Sequence, residues 1–263
     1  MKKTNSFFNI ELKEGKKIYF SSDNHLGAPN HSDSLVREKK FIKWLDSIKG
    51  DASSIFLLGD LFDFWFEYKK VVPKGFIRVL GKLAEISDSG IPIYFFVGNH
   101  DMWMDGYFEE ELNIQVFHSP QKFSINSKSF FIGHGDGLGP GDKGFKRMKK
   151  VFKSPISKFF FSWLHPDFGV RIAQYLSNKN KLLSGVDDIE YKGEDKEWLV
   201  QYCKKILIKE KFEFFVFGHR HLPLDIKISD FSKYINLGDW ISYFSYAVFD
   251  GTNLELKFYR DKV

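Results

Sequence analysis

The sequence predicts an α/β fold, and three features carry that expectation. Apolar runs of strand length stop abruptly at polar ends, apolar residues between the first of those runs recur at helical spacing, and after Gln115 the texture changes to short alternating runs. Strand and helix in turn imply parallel pairing with right-handed crossovers. The later texture implies antiparallel hairpins.

Taken in order, a first strand is expected over about 17–22. Between Asp33 and Lys49, Leu35, Val36, Phe41, Ile42, Trp44, Leu45 and Ile48 fall at helical spacing. A strand at 55–58, a helix from about 75 to 88 and a strand at 91–97 continue the alternation. Short strands follow at about 115–117, 122–125 and 128–132. The run Gly137-Leu138-Gly139-Pro140-Gly141 breaks any element. Helices are expected over Lys143 to Phe152, Pro155 to Leu164 and Phe168 to Asn178, then over about Asp195 to Lys209. Strands near 214–217, 223–228, 233–236, 243–249 and 254–259 complete the chain.

A chain of 263 residues with 30 Phe and 18% aromatics can bury a large core, so one large domain is expected and a disordered chain is excluded. The single cysteine, Cys203, rules out an internal disulfide and reads as a packed thiol. Neither a signal peptide nor an uncharged run long enough to span a bilayer is apparent, so a soluble or membrane-face protein is expected. The net charge of +5 is unevenly spread. Residues 142–181 hold ten Lys/Arg against two acidic residues, so a basic surface belongs to that window.

Five of the eight histidines sit at the polar ends of apolar runs. The ends read, in order, Asp23-Asn24-His25, Gly59-Asp60, Gly98-Asn99-His100-Asp101, Gly133-His134 and Gly218-His219-Arg220-His221. In open α/β sheets such ends collect ligands. Two divalent ions about 4 Å apart need hard or borderline ligands, a shared carboxylate and open positions. Asp23 and His25 leave one strand end on the same side, as do His219 and His221. Asp60, after a glycine, is the carboxylate offered to both ions, Asn99 supplies an amide oxygen and His134 an imidazole. Each fragment alone is a weak signal; the ordered set is a strong one.

This set resembles the motifs of the calcineurin-like metallophosphoesterase superfamily, over the whole chain except 142–181. The resemblance implies a four-layer αββα sandwich whose catalytic domain comprises 1–141 and 182–263, with 142–181 an inserted basic, aromatic helical lid. It implies one ion held by Asp23, His25 and His221, a second by Asn99, His134 and His219, and Asp60 between them. His100 would stabilise or protonate the leaving oxygen, with Asp101 orienting its ring. Asp63 reads as a partner for a site histidine or a loop carboxylate without a role, and Asp136 as a group that orients His134 or caps its turn. Arg220 either contacts a phosphate or points away.

The insertion narrows the family. Phe145, Phe152, Phe159, Phe160, Phe161, Trp163, Phe168 and Tyr175 alternate there with Lys and Arg. Two readings stand: a helical hairpin whose aromatics complete a core, and a lid over an apolar cavity whose cationic rim lies on anionic lipid. A nucleic-acid partner is not expected, because no binding motif accompanies the aromatics. The lid, with Gly59-Asp60-Leu61-Phe62-Asp63-Phe64-Trp65 and His134-Gly135-Asp136-Gly137-Leu138, looks like the UDP-2,3-diacylglucosamine hydrolases of lipid A biosynthesis.

That likeness implies hydrolysis of a lipid-linked sugar nucleotide to UMP and 2,3-diacylglucosamine 1-phosphate with two divalent ions, usually Mn2+. It places the protein at the cytoplasmic face of an inner membrane. Asp142 resembles a position that contacts the sugar, and Asn178 and Lys181 lie in a stretch resembling the segment that binds head group and phosphate. His100 departs from the arginine of many members. The alternatives are a broad-specificity phosphatase or phosphodiesterase, which would be indifferent to loss of 142–181, and a metal-free scaffold, which would take up no transition metal. The sequence specifies no oligomeric state.

Overall fold

A computed structural model describes residues 7–139, 143–172, 190, 191 and 193–260; for 143–145 it describes the backbone alone. Two six-stranded sheets face each other. One runs β1 (Phe8–Ile10), β6 (Gln121–Ile125), β7 (Lys128–Ile132), β8 (Phe214–Phe217), β10 (Ser232–Leu237), β9 (Pro223–Ser229). The other runs β12 (Leu254–Phe258), β11 (Ser245–Phe249), β2 (Lys17–Ser21), β3 (Ala52–Leu57), β4 (Ile93–Phe96), β5 (Gln115–Phe117). The expected parallel block β2–β3–β4 is present, and β5, expected in an antiparallel hairpin, instead extends it by pairing parallel with β4, because its backbone completes the open edge of that sheet. Hairpins β6–β7, β9–β10 and β11–β12 are antiparallel.

The layers follow from the two-residue period of the strands. In β3, Ile55 and Leu57 face a core shared with α1 (His31–Ile48), α2 (Ile77–Asp88) and α3 (Tyr107–Leu112), while Phe56 faces the other sheet. In β7, Phe130 and Ile132 join that inter-sheet core. Phe131 turns outward to α7 (Trp198–Leu207), against Leu199, Val200 and Cys203. Both faces of the central strands are therefore dry, which is why they read as unbroken apolar runs rather than alternating ones. The phenylalanines fill the inter-sheet layer, where Phe20 stacks on Phe56 at 4.9 Å.

Local signals account for the helix starts. Asn30 caps α1 by accepting the Asp33 amide at 3.0 Å, and Phe41, Trp44, Leu45 and Ile48 form its buried stripe. Ser154 caps α5 (Pro155–Ser162) through the Ser157 amide at 3.1 Å, with Pro155 opening the first turn. Strand β1 and helix α3 were not expected. They are three and six residues long, and β1 exists through its parallel pairing with β6 rather than through any pattern of its own.

Strands β2, β3 and β4 of one sheet and β7 and β8 of the other end on the same side of the sandwich. Leu58 N donates to Ser21 O at 2.7 Å, Asp23 N to Gly59 O at 3.1 Å and Gly218 N to His134 O at 2.9 Å, so the loops beyond these ends are tied to one another.

Candidate metal centre

Seven side chains expected to meet do meet. The ligand atoms of Asp23, His25 and His221 lie within 4.8 Å of one another, and so do those of Asp60, His134 and His219. Asp60 joins the two groups: its Oδ2 is 3.4 Å from His134 Nε2 and 3.7 Å from His25 Nε2. Asn99 Oδ1 is 3.2 Å from His134 Nε2. A further triad, His25, Asp63 and His100, adjoins the first.

The backbone is bent to present these groups. Asp23, His25, Asp60, His219 and His221 all adopt left-handed conformations, with φ between 44° and 67°. Such residues cost about 1–3 kcal/mol each and persist only where the surroundings enforce them. Here cross-loop hydrogen bonds do so, with His25 N donating to Asp60 O at 2.9 Å and His219 N to Asp23 Oδ2 at 2.8 Å. The glycines of the motifs have a second reason beyond the turn. A Cβ on Gly98 would overlap Asp60 Oδ1 and lie 2.7 Å from Asp60 N, and one on Gly218 would overlap Asp23 Oδ2 and meet Ser22 Oγ at 2.5 Å. The carboxylates pack directly on glycine backbone.

The donor set fits two hard or borderline dications. Asp23 and Asp60 are 0% and 1% exposed, and the charges that favour their ionised forms are those of histidines. Asp23 Oδ1 is buried and receives no hydrogen bond from the described residues. His25 donates its Nδ1–H to Asp63 Oδ1 at 3.1 Å, which leaves a lone pair on Nε2. That lone pair faces His221 Nε2 at 3.1 Å and Asp23 Oδ1 at 3.9 Å, a convergence that a cation satisfies. His134 Nδ1–H is likewise committed, to Leu58 O at 2.6 Å.

The titrations reflect this crowding. Burial raises Asp60, but the charges of His134, His100 and His25 outweigh it and hold the carboxyl well below its ordinary value. Burial lowers His134, and Asp60 and Asp23 reverse that and push it up. His219 falls to about 4 through burial and the charge of His134. Asp101 rises to about 7 through burial and the neighbouring Asp60 charge.

The structure overturns one reading of the supporting groups, that of Asp101, and decides between the alternatives for two others. Asp101 does not orient His100. Its carboxylate accepts the amides of Gly98 and Leu61 at 2.7 and 3.0 Å and so ties the Asn99 loop to the Asp60 loop. The His100 ring is held instead by Asp63, whose carbonyl accepts Nδ1–H at 2.9 Å. His134 is oriented by a backbone carbonyl, while Asp136 pairs with Lys149, and no sequence pattern marks that carbonyl. Arg220 is 6% exposed and donates to both Glu197 oxygens at 3.1 and 3.2 Å and to Glu190 O at 3.0 Å, so its guanidinium is engaged at the start of α7 rather than presented to a phosphate. Asp142, Asn178 and Lys181 lie outside the described residues.

Helices α4 (Lys143–Phe152) and α5, followed by α6 (166–172 as described), lie next in the chain, and the first two pack on the segments that follow Asp60 and His100. Trp103 Nε1 donates to Phe152 O at 2.8 Å, and Phe161 packs at 4.7 Å on both Phe66 and Trp103. The two readings of this window thus divide by ring. Phe152 and Phe161 complete an aromatic cluster, whereas Phe159, Phe160, Trp163 and Phe168 are 56–77% exposed. A cavity of about 280 Å³ beside His134 is walled in part by Lys149 of α4 and by Lys153, just past its end. Among the described residues, no helix is long and apolar enough to cross a membrane.

Comparison with known proteins agrees with this geometry. Residues 16–223 match the family model described as calcineurin-like phosphoesterase. The chain is 38% identical over 257 residues to a UDP-2,3-diacylglucosamine hydrolase of Porphyromonas gingivalis, covering 93% of this chain and 98% of that protein. It is 28% identical over 250 residues to a protein of the same name from a Shewanella species (strain MR-4), covering 92% and 97%.

Proposed function

The chain belongs to the calcineurin-like phosphoesterases and is a metal-dependent hydrolase, and on that premise we propose that it cleaves the pyrophosphate of UDP-2,3-diacylglucosamine in lipid A biosynthesis. The near full-length match to the Porphyromonas gingivalis hydrolase carries this reading. One water adds across the P–O–P bond: its oxygen joins one phosphorus, the bridging oxygen departs with the other phosphate, and the products are UMP and 2,3-diacylglucosamine 1-phosphate.

Asp23, His25 and His221 would hold one ion, Asn99, His134 and His219 the other, and Asp60 both. When bound, two dications, in our reading Mn2+, screen phosphate charge and acidify water. His100 sits beside His25, ring centroids 4.7 Å apart, with Nδ1 fixed on Asp63 and Nε2 left to act. Burial lowers its pKa against the pull of Asp60, and an anionic phosphate drawn alongside favours the imidazolium, whose Nε2–H donates to the leaving oxygen. Asp142, Asn178 and Lys181, outside the described residues, are the proposed contacts to sugar and phosphate.

UMP release from the acylated sugar nucleotide with Mn2+, followed by chromatography, tests the assignment. Rapid cleavage of simple aryl phosphates without UMP release would select the broad-specificity reading. His100→Ala is expected to lower kcat by ~100-fold or more. His100→Arg, which restores a cation beside the leaving phosphate, is expected to recover much of that loss. Equal activity of wild type and His100→Ala would remove His100 from the mechanism.

The membrane face is assigned to the insertion. Lys150 of α4 and Lys153 just beyond it are exposed, as are Phe160 and Trp163 of the same window. A lysine at an anionic surface contributes about 1 kcal/mol, so replacing both by alanine is expected to weaken binding to phosphatidylglycerol-containing vesicles roughly 30-fold. Flotation that is unchanged by these substitutions, or by raised salt, would count against a peripheral membrane role through this window.

A further inference from the structure

The His25–His221 side of the site is backed by two charged residues that belong to none of the five strand-end motifs. Asp239 lies in the turn between β10 and β11 and is 5% exposed. Its Oδ1 accepts the amides of Ile241, Ser242 and Tyr243 at 3.0, 2.7 and 3.1 Å. Three backbone donors therefore fix the carboxylate, and its Oδ2 is presented to His221 Nδ1 at 3.4 Å. The opposite nitrogen, Nε2, is the one that faces Asp23 at 3.3 Å and His25 at 3.1 Å.

Arg37 approaches from α1 and is 7% exposed. Its Nη2 donates to His25 O at 2.6 Å and also to Ala28 O, across the left-handed turn at His25. The guanidinium is also within electrostatic reach of Asp63 and Asp239, the carboxylates that face His25 and His221. An ionised carboxylate only accepts, so the His221 nitrogen that faces Asp239 is the one that carries a proton, and in the neutral ring Nε2 keeps its lone pair.

We infer that Asp239 and Arg37 are positioning residues for the His25–His221 pair, an inference that rests on reading the site as a metal centre. Asp239 holds His221 in the Nδ1–H tautomer, as Asp63 does His25, so that both Nε2 lone pairs point into the site. Arg37 closes the His25 turn and offsets the two buried carboxylates. Neither residue touches substrate. Groups of this kind typically contribute 10–100-fold to metal affinity.

Two measurements test it. Long-range 1H–15N correlation on metal-free, 15N-histidine-labelled protein reads the tautomers without any substitution, and Nδ1–H is expected for His221; Nε2–H overturns the assignment. Calorimetric titration with Mn2+ alone is expected to show affinity ~10–100-fold weaker in Asp239→Asn than in wild type. Asparagine keeps an oxygen for the three amides, so metal-free melting should match wild type while the His221 signature changes. Arg37→Met is expected to weaken Mn2+ binding similarly, with Arg37→Lys, which keeps the charge and one donor, intermediate. Unchanged Mn2+ affinity in a folded Asp239→Asn variant refutes the positioning role while leaving the metal centre intact. Wild-type protein that takes up no Mn2+ overturns the metal reading, and this inference with it.

Discussion

Asp60→Asn is expected to lower kcat by at least ~1,000-fold: on the proposed reading this carboxylate would hold both metals, several kcal/mol of charge stabilisation would depend on it, and each 1.36 kcal/mol is tenfold in rate. The side chain is 1% exposed and its Oδ2 lies between His134 Nε2 and His25 Nε2, one from each triad. Its Oδ1 accepts the His100 amide at 2.8 Å, a bond an asparagine oxygen can keep. The substitution therefore removes charge with little change of shape. Bound manganese, measured by elemental analysis after dialysis, is expected to fall below two per chain. A variant that retains two ions and wild-type turnover would contradict a shared carboxylate at this position.

Gly98→Ala is expected to be nearly as damaging although it removes no ligand. The added methyl meets the Asp60 carboxylate and backbone at once. Either the Asn99 loop or Asp60 must move, and a displacement of about 1 Å at a reacting site costs on the order of 100-fold. Gly81→Ala in α2 is the control, since a Cβ there meets nothing within 4 Å, and it should leave activity unchanged while stabilising the helix by ~0.5–1 kcal/mol. Wild-type kcat and manganese content in Gly98→Ala would show that the carboxylate does not depend on that close approach.

The residue-level legibility of this site has a simple origin. The candidate metal ligands are side chains, and side chains are written in the sequence: Asp23, His25, Asp60, Asn99, His134, His219 and His221 each follow an apolar run that could be read as a strand. The groups that hold those ligands are often not side chains of the same motif. Leu58 O orients His134, the amides of Gly98 and Leu61 occupy Asp101, and Glu197 engages Arg220. Most of these partners come from other segments or from backbone, so motif spacing misplaced Asp101 on the His100 ring and left the alternatives for Asp136 and Arg220 undecided.

By itself the sequence determined the α/β class, the order of most strands and helices, and the gathering of metal-binding side chain types at five strand ends. A period of two or 3.6 residues and a glycine before a ligand are local signals, and they survive in one dimension. Only the tertiary structure decided that β7 pairs with β8 across the insertion, that β11 returns to lie against β2, and that two sheets end on one side. Those pairings join residues far apart in the chain through backbone hydrogen bonds, which carry no residue-specific signature. The same is true of Asp239 and Arg37, whose burial beside the histidines depends on which loops the sandwich brings together.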